Sequence, residues 1–256
     1  MKSLHKVIDI IDIIADEGSV GIRELAAKSG FPPTTAYRIV STLLERKYIQ
    51  QDPLTRKYTL SLKFLELGTK VQKQYSLTQI ARPHIEQLMV DTRENANLCA
   101  LDGDEVIYLD HVHSDEHMLQ SFTSLGTRVP LYATGVGKAI LSQRGEKEIK
   151  AYLKRTKLIA FTEKTFINKT MLTNEFQKVK EKGFALDNEE RETGIRCIAA
   201  PIFDHTGQCN AGISVSGPTL RIIDTRIEEL GNYVKKYAQL ISNEIGYKIT
   251  GAEADT

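Results

Sequence analysis

Cysteine is scarce in this chain. Cys99, Cys197 and Cys209 are its three thiols, and an odd, widely spaced set cannot all pair within the chain. That excludes a disulfide framework and points to a reducing compartment. Long apolar runs are absent too: none reaches the ~20 residues that cross a bilayer. The opening MKSLHKVIDIIDII is broken by Asp9 and Asp12, unlike the apolar core of a secretory signal. A cytoplasmic protein with no membrane partner is therefore expected. Nor is there an excess of one charge. With 34 Lys and Arg against 33 Asp and Glu the net charge is +1, which excludes a uniformly basic coat but leaves room for a local basic surface. No Gly-x-Ser-x-Gly turn, His-Glu-x-x-His pair or paired Cys motif occurs, so no catalytic triad is legible and no cofactor is expected. There is no internal repeat and no low-complexity segment. What remains is an ordinary globular composition of 256 residues, 41% apolar and 26% charged, enough for one or two domains.

The first sixty residues carry the sharpest pattern. Leu4, Val7, Ile8, Ile11 and Ile14 recur at helical spacing, with Lys6, Asp9 and Asp12 opposite them, and Gly18 ends the helix. A second short helix spans about 22–28 and buries Ile22, Leu25 and Ala26; Ser29-Gly30 stops it. Pro32-Pro33 then opens a third helix, TTAYRIVSTLLER, which buries Ala36, Ile39, Val40, Leu43 and Leu44. Its opposite face carries Thr34, Thr35, Tyr37, Arg38, Ser41 and Thr42. Hydrogen-bonding side chains gathered toward a helix N-terminus suit a recognition helix in the DNA major groove, whose amide groups can also face phosphate. A solvated face of a three-helix bundle fits the same residues, but such faces are usually rich in Lys and Glu. Two strand runs follow, Tyr48–Gln51 and Lys57–Leu60, joined by a turn-prone basic tip. This order of elements predicts a winged helix-turn-helix over 1–60, with Arg56 and Lys57 facing the sugar-phosphate backbone.

A helical linker is expected over 61–75, and its apolar surface (Leu62, Phe64, Leu65, Leu67, Val71) implies packing against a partner chain. Residues 76–256 should form an effector-binding domain. A long helix starts at Leu77, and strand runs follow at NLCAL, EVIYLDHV and MLQSF. Helices are predicted at about 136–143, 146–155 and 171–182, strands at IRCIAAPIFD and CNAGISVSG, and a final helix at about 224–246. Clustered strands between helices give an α+β class with an antiparallel sheet.

Three local features of this domain suit a ligand. Ala133 to Lys138 opens a helix; its small residues allow close approach, and its free N–H groups suit an anion. The spacing is not that of a P-loop, and a tight turn into a helix fits equally. Asp187 to Cys197, DNEERETGIRC, is a polar stretch in which Glu189, Glu190 and Glu192 read as a solvated loop. Ser214 and Ser216 alternate and so share a sheet face, where they satisfy local backbone or bind an oxygen-rich ligand. His111, His113 and His117 with Asp110, Asp115 and Glu116 form a cluster with metal-ligand chemistry, and Cys197 with Asp187 is a second such pair; neither has a recognised metal spacing. A cysteine- or metal-dependent hydrolase carrying a helix-turn-helix is the alternative, with Cys197 as its nucleophile.

Taken together, IRELAAKSGFPPTTAYRIVSTLLERKYI, PLYATGVGKAIL and GIRCIAAPIFDHTGQCNAGISVSGP resemble the IclR-type transcriptional regulators over nearly the whole chain. DNEERETGIRC and YTLSLKFLELG look closest to the branch that regulates sugar-acid (2-keto-3-deoxygluconate) catabolism. The resemblance implies a repressor-type, non-enzymatic regulator with a GAF-like effector domain. It further implies homodimers that pair into tetramers and bind a palindromic double-stranded operator, and a small carboxylate-bearing effector. It joins Gly135, Val136, Asp187, Cys197, Ser214 and Ser216 into one pocket, with walls at Met118, Ser121, Val129 and Ile195. Ser121 departs from the apolar type of the glyoxylate-responsive branch, which implies a more hydroxylated ligand.

Overall fold

The computed structural model describes residues 2–74, 76–114 and 124–248. The chain divides into two compact units, Met1–Tyr75 and Ser76–Thr256.

The first unit begins with α1 (Lys2–Glu17), α2 (Ile22–Ser29) and α3 (Pro33–Glu45). Gly30 ends α2 in the left-handed conformation, φ 68°, the geometry that favours glycine there. Pro33 occupies the first turn of α3, where the missing N–H is no loss. The core of this unit joins Ile10, Ile14, Leu25, Ala36, Ile39, Val40 and Leu43. The stripe expected on α1 is therefore rotated: Leu4 and Ile8 are exposed, and Ile10 takes the buried position. Leu44 is only half-buried. The hairpin is shorter than its sequence runs, with β1 (Ile49–Gln51) pairing antiparallel to β2 (Tyr58–Leu60). A third member was not legible. Val20 exchanges both backbone hydrogen bonds with Tyr58, at 3.0 and 2.8 Å, and ties the hairpin to the segment before α2. α4 (Lys63–Gln74) follows, with Leu62 and Leu65 exposed.

The second unit is three-layered. Its six strands are β3 (Asn95–Asp102), β4 (Glu105–Val112), β5 (Arg128–Pro130), β6 (Ala185–Asn188), β7 (Ile195–Phe203) and β8 (Cys209–Pro218). They form one antiparallel sheet in the order β5-β4-β3-β8-β7-β6. One face buries Leu98, Ile198, Ile213 and Val215 against α5 (Ser76–Thr92) and α9 (Ile227–Glu244). The other packs Cys99, Val106 and Ala199 against α6 (Gly135–Ser142) and α8 (Lys169–Lys182); α7 (Glu146–Arg155) lies between those two helices in sequence. The α+β class with an antiparallel sheet holds. Two strands escaped the sequence reading. β5 has three residues and β6 has four, too few for a period, and β6 runs only into the first two residues of the polar stretch, Asp187 and Asn188. The expected strand MLQSF lies outside the described residues, as do His117, Met118, Ser121 and the acidic pair Asp115 and Glu116.

Candidate functional site

The sheet face beneath α6 holds a cavity of about 430 Å³. Gly135, Val136, Asp187, Cys197, Ser214, Ser216, Val129 and Ile195 all line it, although they come from well-separated parts of the domain's chain. Met118 and Ser121, the other two expected wall residues, lie outside the described residues.

Strand register explains the convergence. Ser214 stands opposite Asn97 and Ala199, and Ser216 opposite Asn95 and Cys197, so these side chains share one face. Asn97 was not anticipated. Its buried Nδ2 donates to both serine hydroxyls, at 3.3 Å to Ser214 and 3.1 Å to Ser216, and so orients the pair. The sequence signal was present: two asparagines, Asn95 and Asn97, interrupt an otherwise apolar strand. Tyr108 and Arg221 also line the cavity and were missed, because nothing local marks them; Thr134 and Arg191 line it too, from within the two stretches singled out in the sequence. Arg221 is held by a bidentate contact to the buried Glu94.

The head of α6 presents the N–H groups of Gly135 and Val136, which precede the first intrahelical donor, the Lys138 N–H that bonds the Thr134 carbonyl. Thr134 caps the helix, its hydroxyl accepting the N–H of Gly137 at 3.2 Å. The glycines serve packing here. A Cβ on Gly137 would sit 2.1 Å from the Leu131 carbonyl oxygen, and one on Gly135 would meet Ala199 and the Cys197 carbonyl at 3.3 Å. The small residues thus let the helix settle on the chain beneath it, rather than only opening a path for a ligand.

Lys138 is wholly buried and unavailable as a surface cation. Its ammonium donates to the Leu186 carbonyl at 2.6 Å and to Glu190 at 2.5 Å, reaches Glu175 at 3.3 Å, and lies 5.3 Å from the Phe166 ring centre. This overturns the solvated-loop reading of Glu190, whose side chain is the buried partner of Lys138. Glu189 is half-buried and pairs with Lys164, while Glu192 is exposed as expected. The turn after β6 is fastened from three sides. Asp187 Oδ1 accepts the N–H groups of Glu190 at 2.7 Å and Arg191 at 3.4 Å. Thr165 donates to the Glu190 carbonyl at 2.6 Å, and the Arg191 guanidinium stacks 4.1 Å from the Phe161 ring centre.

Burial pushes Asp187 up to about 7, with the neighbouring Glu190 carboxylate adding to the rise and Lys138 opposing it. Burial likewise raises Cys197 well above the ordinary thiol range, with Asp187 and Cys99 adding to it. A nucleophilic cysteine needs the opposite shift. His111 and His113 pack with ring centres 4.3 Å apart. Among the described residues no group of three His, Cys, Asp or Glu gathers as metal ligands.

On the first unit, Thr34, Tyr37, Arg38, Ser41 and Thr42 are exposed along α3 and Thr35 is half-buried. The Thr42 hydroxyl returns to the Arg38 carbonyl at 3.0 Å. The amide contribution expected at this helix start is small. Pro33 has no N–H and that of Thr35 bonds the Pro32 carbonyl, which leaves Thr34. Arg56 and Lys57 are exposed at the tip, where Asp52 Oδ1 accepts from Leu54 and Thr55 and Arg56 adopts φ 58°. Among the described residues no helix is long and apolar enough to cross a membrane.

With this geometry in view, comparison with known proteins is direct. Residues 69–243 match the profile of the bacterial transcriptional regulator IclR C-terminal domain, and residues 3–53 that of the IclR helix-turn-helix domain. The chain is 36% identical to the HTH-type transcriptional regulator BhcR of Paracoccus denitrificans, over 94% of this chain and 86% of that one. It is 34% identical to the HTH-type transcriptional regulator KdgR of Escherichia coli, over 96% and 94%. The crystal structure of Thermotoga maritima IclR superposes with a TM-score of 0.81 at 35% identity, covering 96% of this chain and all of that one.

Proposed function

Because the chain belongs to the IclR family of bacterial transcriptional regulators, it is a DNA-binding regulator and not an enzyme, and we propose that a small carboxylate-bearing metabolite, a keto or sugar acid, controls it from the sheet cavity. The observation that carries this reading is the convergence of the α6 head with Ser214, Ser216 and Asp187 on one enclosed space. Free N–H groups and the helix dipole favour a carboxylate at Gly135 and Val136. The serine hydroxyls, which donate and accept, suit the ligand's carbonyl and hydroxyl oxygens. The likeness of DNEERETGIRC to the sugar-acid branch supports a hydroxylated ligand.

In the first unit the Thr34–Thr42 face of α3 reads base edges and Arg56 and Lys57 hold phosphate. A palindromic operator bound by a homodimer follows, and exposed Leu4, Ile8, Leu62 and Leu65 are apolar surface suited to a second copy. The test pairs calorimetry with DNA binding. 2-Keto-3-deoxygluconate and pyruvate are titrated into the full chain, each beside its methyl ester, and the better ligand is added to protein bound to duplexes selected from a random pool. Tight binding of the acid, weak binding of the ester and a ligand-dependent change in DNA affinity support the reading. Equal binding of acid and ester refutes the anion site.

A further inference from the structure

We propose that Asp187 recognises the effector as an acid, donating its own proton to the bound carboxylate and taking that proton from solvent when the ligand enters. This rests on the reading of the cavity as an anion effector site and adds to it a specificity-determining proton. The ligand class is a small carboxylate anion taken up together with one H⁺.

Buried charges crowd the Asp187 end of the cavity. Asp187 lines the cavity and is 4% exposed. Two backbone N–H groups engage its Oδ1, and among the described residues no hydrogen bond engages Oδ2, the oxygen left for a ligand. From the same turn Glu190 faces it, itself 2% exposed, with Oε1 on Lys138 and Oε2 buried without a partner. From α8, Glu175 shares the same ammonium. From α6, Lys138 is the one cation in this group. Arg191 offers its backbone N–H while its guanidinium lies on Phe161, and Glu192 on the same turn is exposed. From β7 Cys197 stands opposite Asp187, with Cys99 beyond it on β3; burial holds both as neutral thiols. Three carboxyl groups and one ammonium thus gather at this end of the cavity before any ligand arrives, while the other cations that line it, Arg191 and Arg221, are engaged by the Phe161 ring and by the buried Glu94.

A ligand carboxylate adds another negative charge. Two carboxylates in hydrogen-bond contact repel strongly in a poorly solvated cavity unless a proton lies between them. The cluster is already poised to hold one, since Asp187 sits at about 7 when the cavity is empty. Anion entry raises that further, and the protonated carboxyl becomes the donor that an ionised Asp187 lacks. No other reagent is needed: one O–H···O⁻ bond forms, and the proton comes from the buffered solvent, whose acid form becomes its conjugate base.

The experiment uses the full chain and has two arms. In the first, pyruvate and 2-keto-3-deoxygluconate are titrated by calorimetry from pH 6 to 9 in buffers of different ionisation enthalpy. Both stay ionised throughout. Proton uptake should approach one per ligand at the alkaline end and vanish at the acid end, and Kd should rise about tenfold per pH unit above neutrality. In Asp187→Asn, whose carboxamide donates without a titrating proton, Kd should become flat across this range. His111, opposite Asn97 on the same sheet face, remains in the variant as an internal control. A flat Kd in the wild type, or a pH dependence that persists in Asp187→Asn, overturns the proposal. In the second arm, infrared difference spectra without ligand, pH 6 minus pH 9, should show a carboxylic-acid C=O band that Asp187→Asn removes and Glu190→Gln retains. A band lost only in Glu190→Gln, or no band, also overturns it. If neither acid binds, the effector reading fails for these probes, while the infrared arm still decides where the proton resides.

Discussion

Replacing Lys138 by methionine probes the ion cluster on which the second unit is organised. The substitution keeps most of the apolar stem but deletes the ammonium, and with it the cation–π contact to Phe166. Glu190 then keeps a single weak donor, the Asn188 N–H at 3.4 Å, and the Leu186 carbonyl loses its 2.6 Å partner. Removing one partner of a buried pair costs about 3–5 kcal/mol, because the remaining charge is left without compensation. Against a typical total of about 5–15 kcal/mol that is a large share. The double variant Lys138→Met with Glu190→Gln removes both charges and should recover about 2 kcal/mol or more of the loss, a coupling expected of groups in direct contact. Hydrogen exchange with mass spectrometry on the full chain measures this region by region. Opening should become easier in peptides covering 135–142, 185–203 and 209–218, while peptides from α2 and α3 serve as a reference. A loss below about 1 kcal/mol, or strict additivity in the double variant, would falsify the view of Lys138 as the anchor of the Asp187 turn.

Three further outcomes follow from the same structure. Arg38→Ala should weaken specific operator binding by about 1–3 kcal/mol with an unchanged circular dichroism spectrum, since Arg38 is exposed; unaltered affinity by fluorescence anisotropy removes it from the readout. Arg56→Asn with Lys57→Ala, asparagine chosen because it tolerates φ 58°, should weaken binding to all duplexes alike and flatten the dependence of log K on log salt. A loss confined to one sequence with the salt slope intact argues against phosphate contact. Asn97→Ala should weaken effector binding more than Ser214→Ala, whose cost is about 0.5–1.5 kcal/mol, because Asn97 orients two hydroxyls rather than one. The reverse order by calorimetry would show that Asn97 is not the organiser of the pair.

The sequence was informative where the chemistry is local and periodic. The winged helix was legible because its helices bury stripes of period 3.6, Gly30 and Pro33 mark boundaries, and the hairpin has a turn-prone tip. Even there a detail was lost. Leu4 and Ile8 fit the α1 periodicity as well as Ile10 does, and only packing against α2 and α3 selects which side is buried. The Val20–Tyr58 pairing was invisible for a different reason, since a single residue has no pattern.

The cavity on the sheet shows the division most clearly. Alternation alone placed Ser214 and Ser216 on one face, because successive side chains of any strand point to opposite sides. The turn into α6 was also visible, because glycines before a helix have a local meaning. The sequence therefore determined by itself the winged helix, the α+β class and the separate pieces of the site. Tertiary structure decided the rest. It set Asn97 across from the serines through strand register, drew the start of the acidic stretch inward as β6, and turned Glu190 from an apparent surface residue into the buried partner of Lys138. Residues far apart in the chain share these interactions, and a buried charge is tolerated only where another part of the fold brings its counter-ion. Local sequence carries no trace of that partner until the sheet has closed around it.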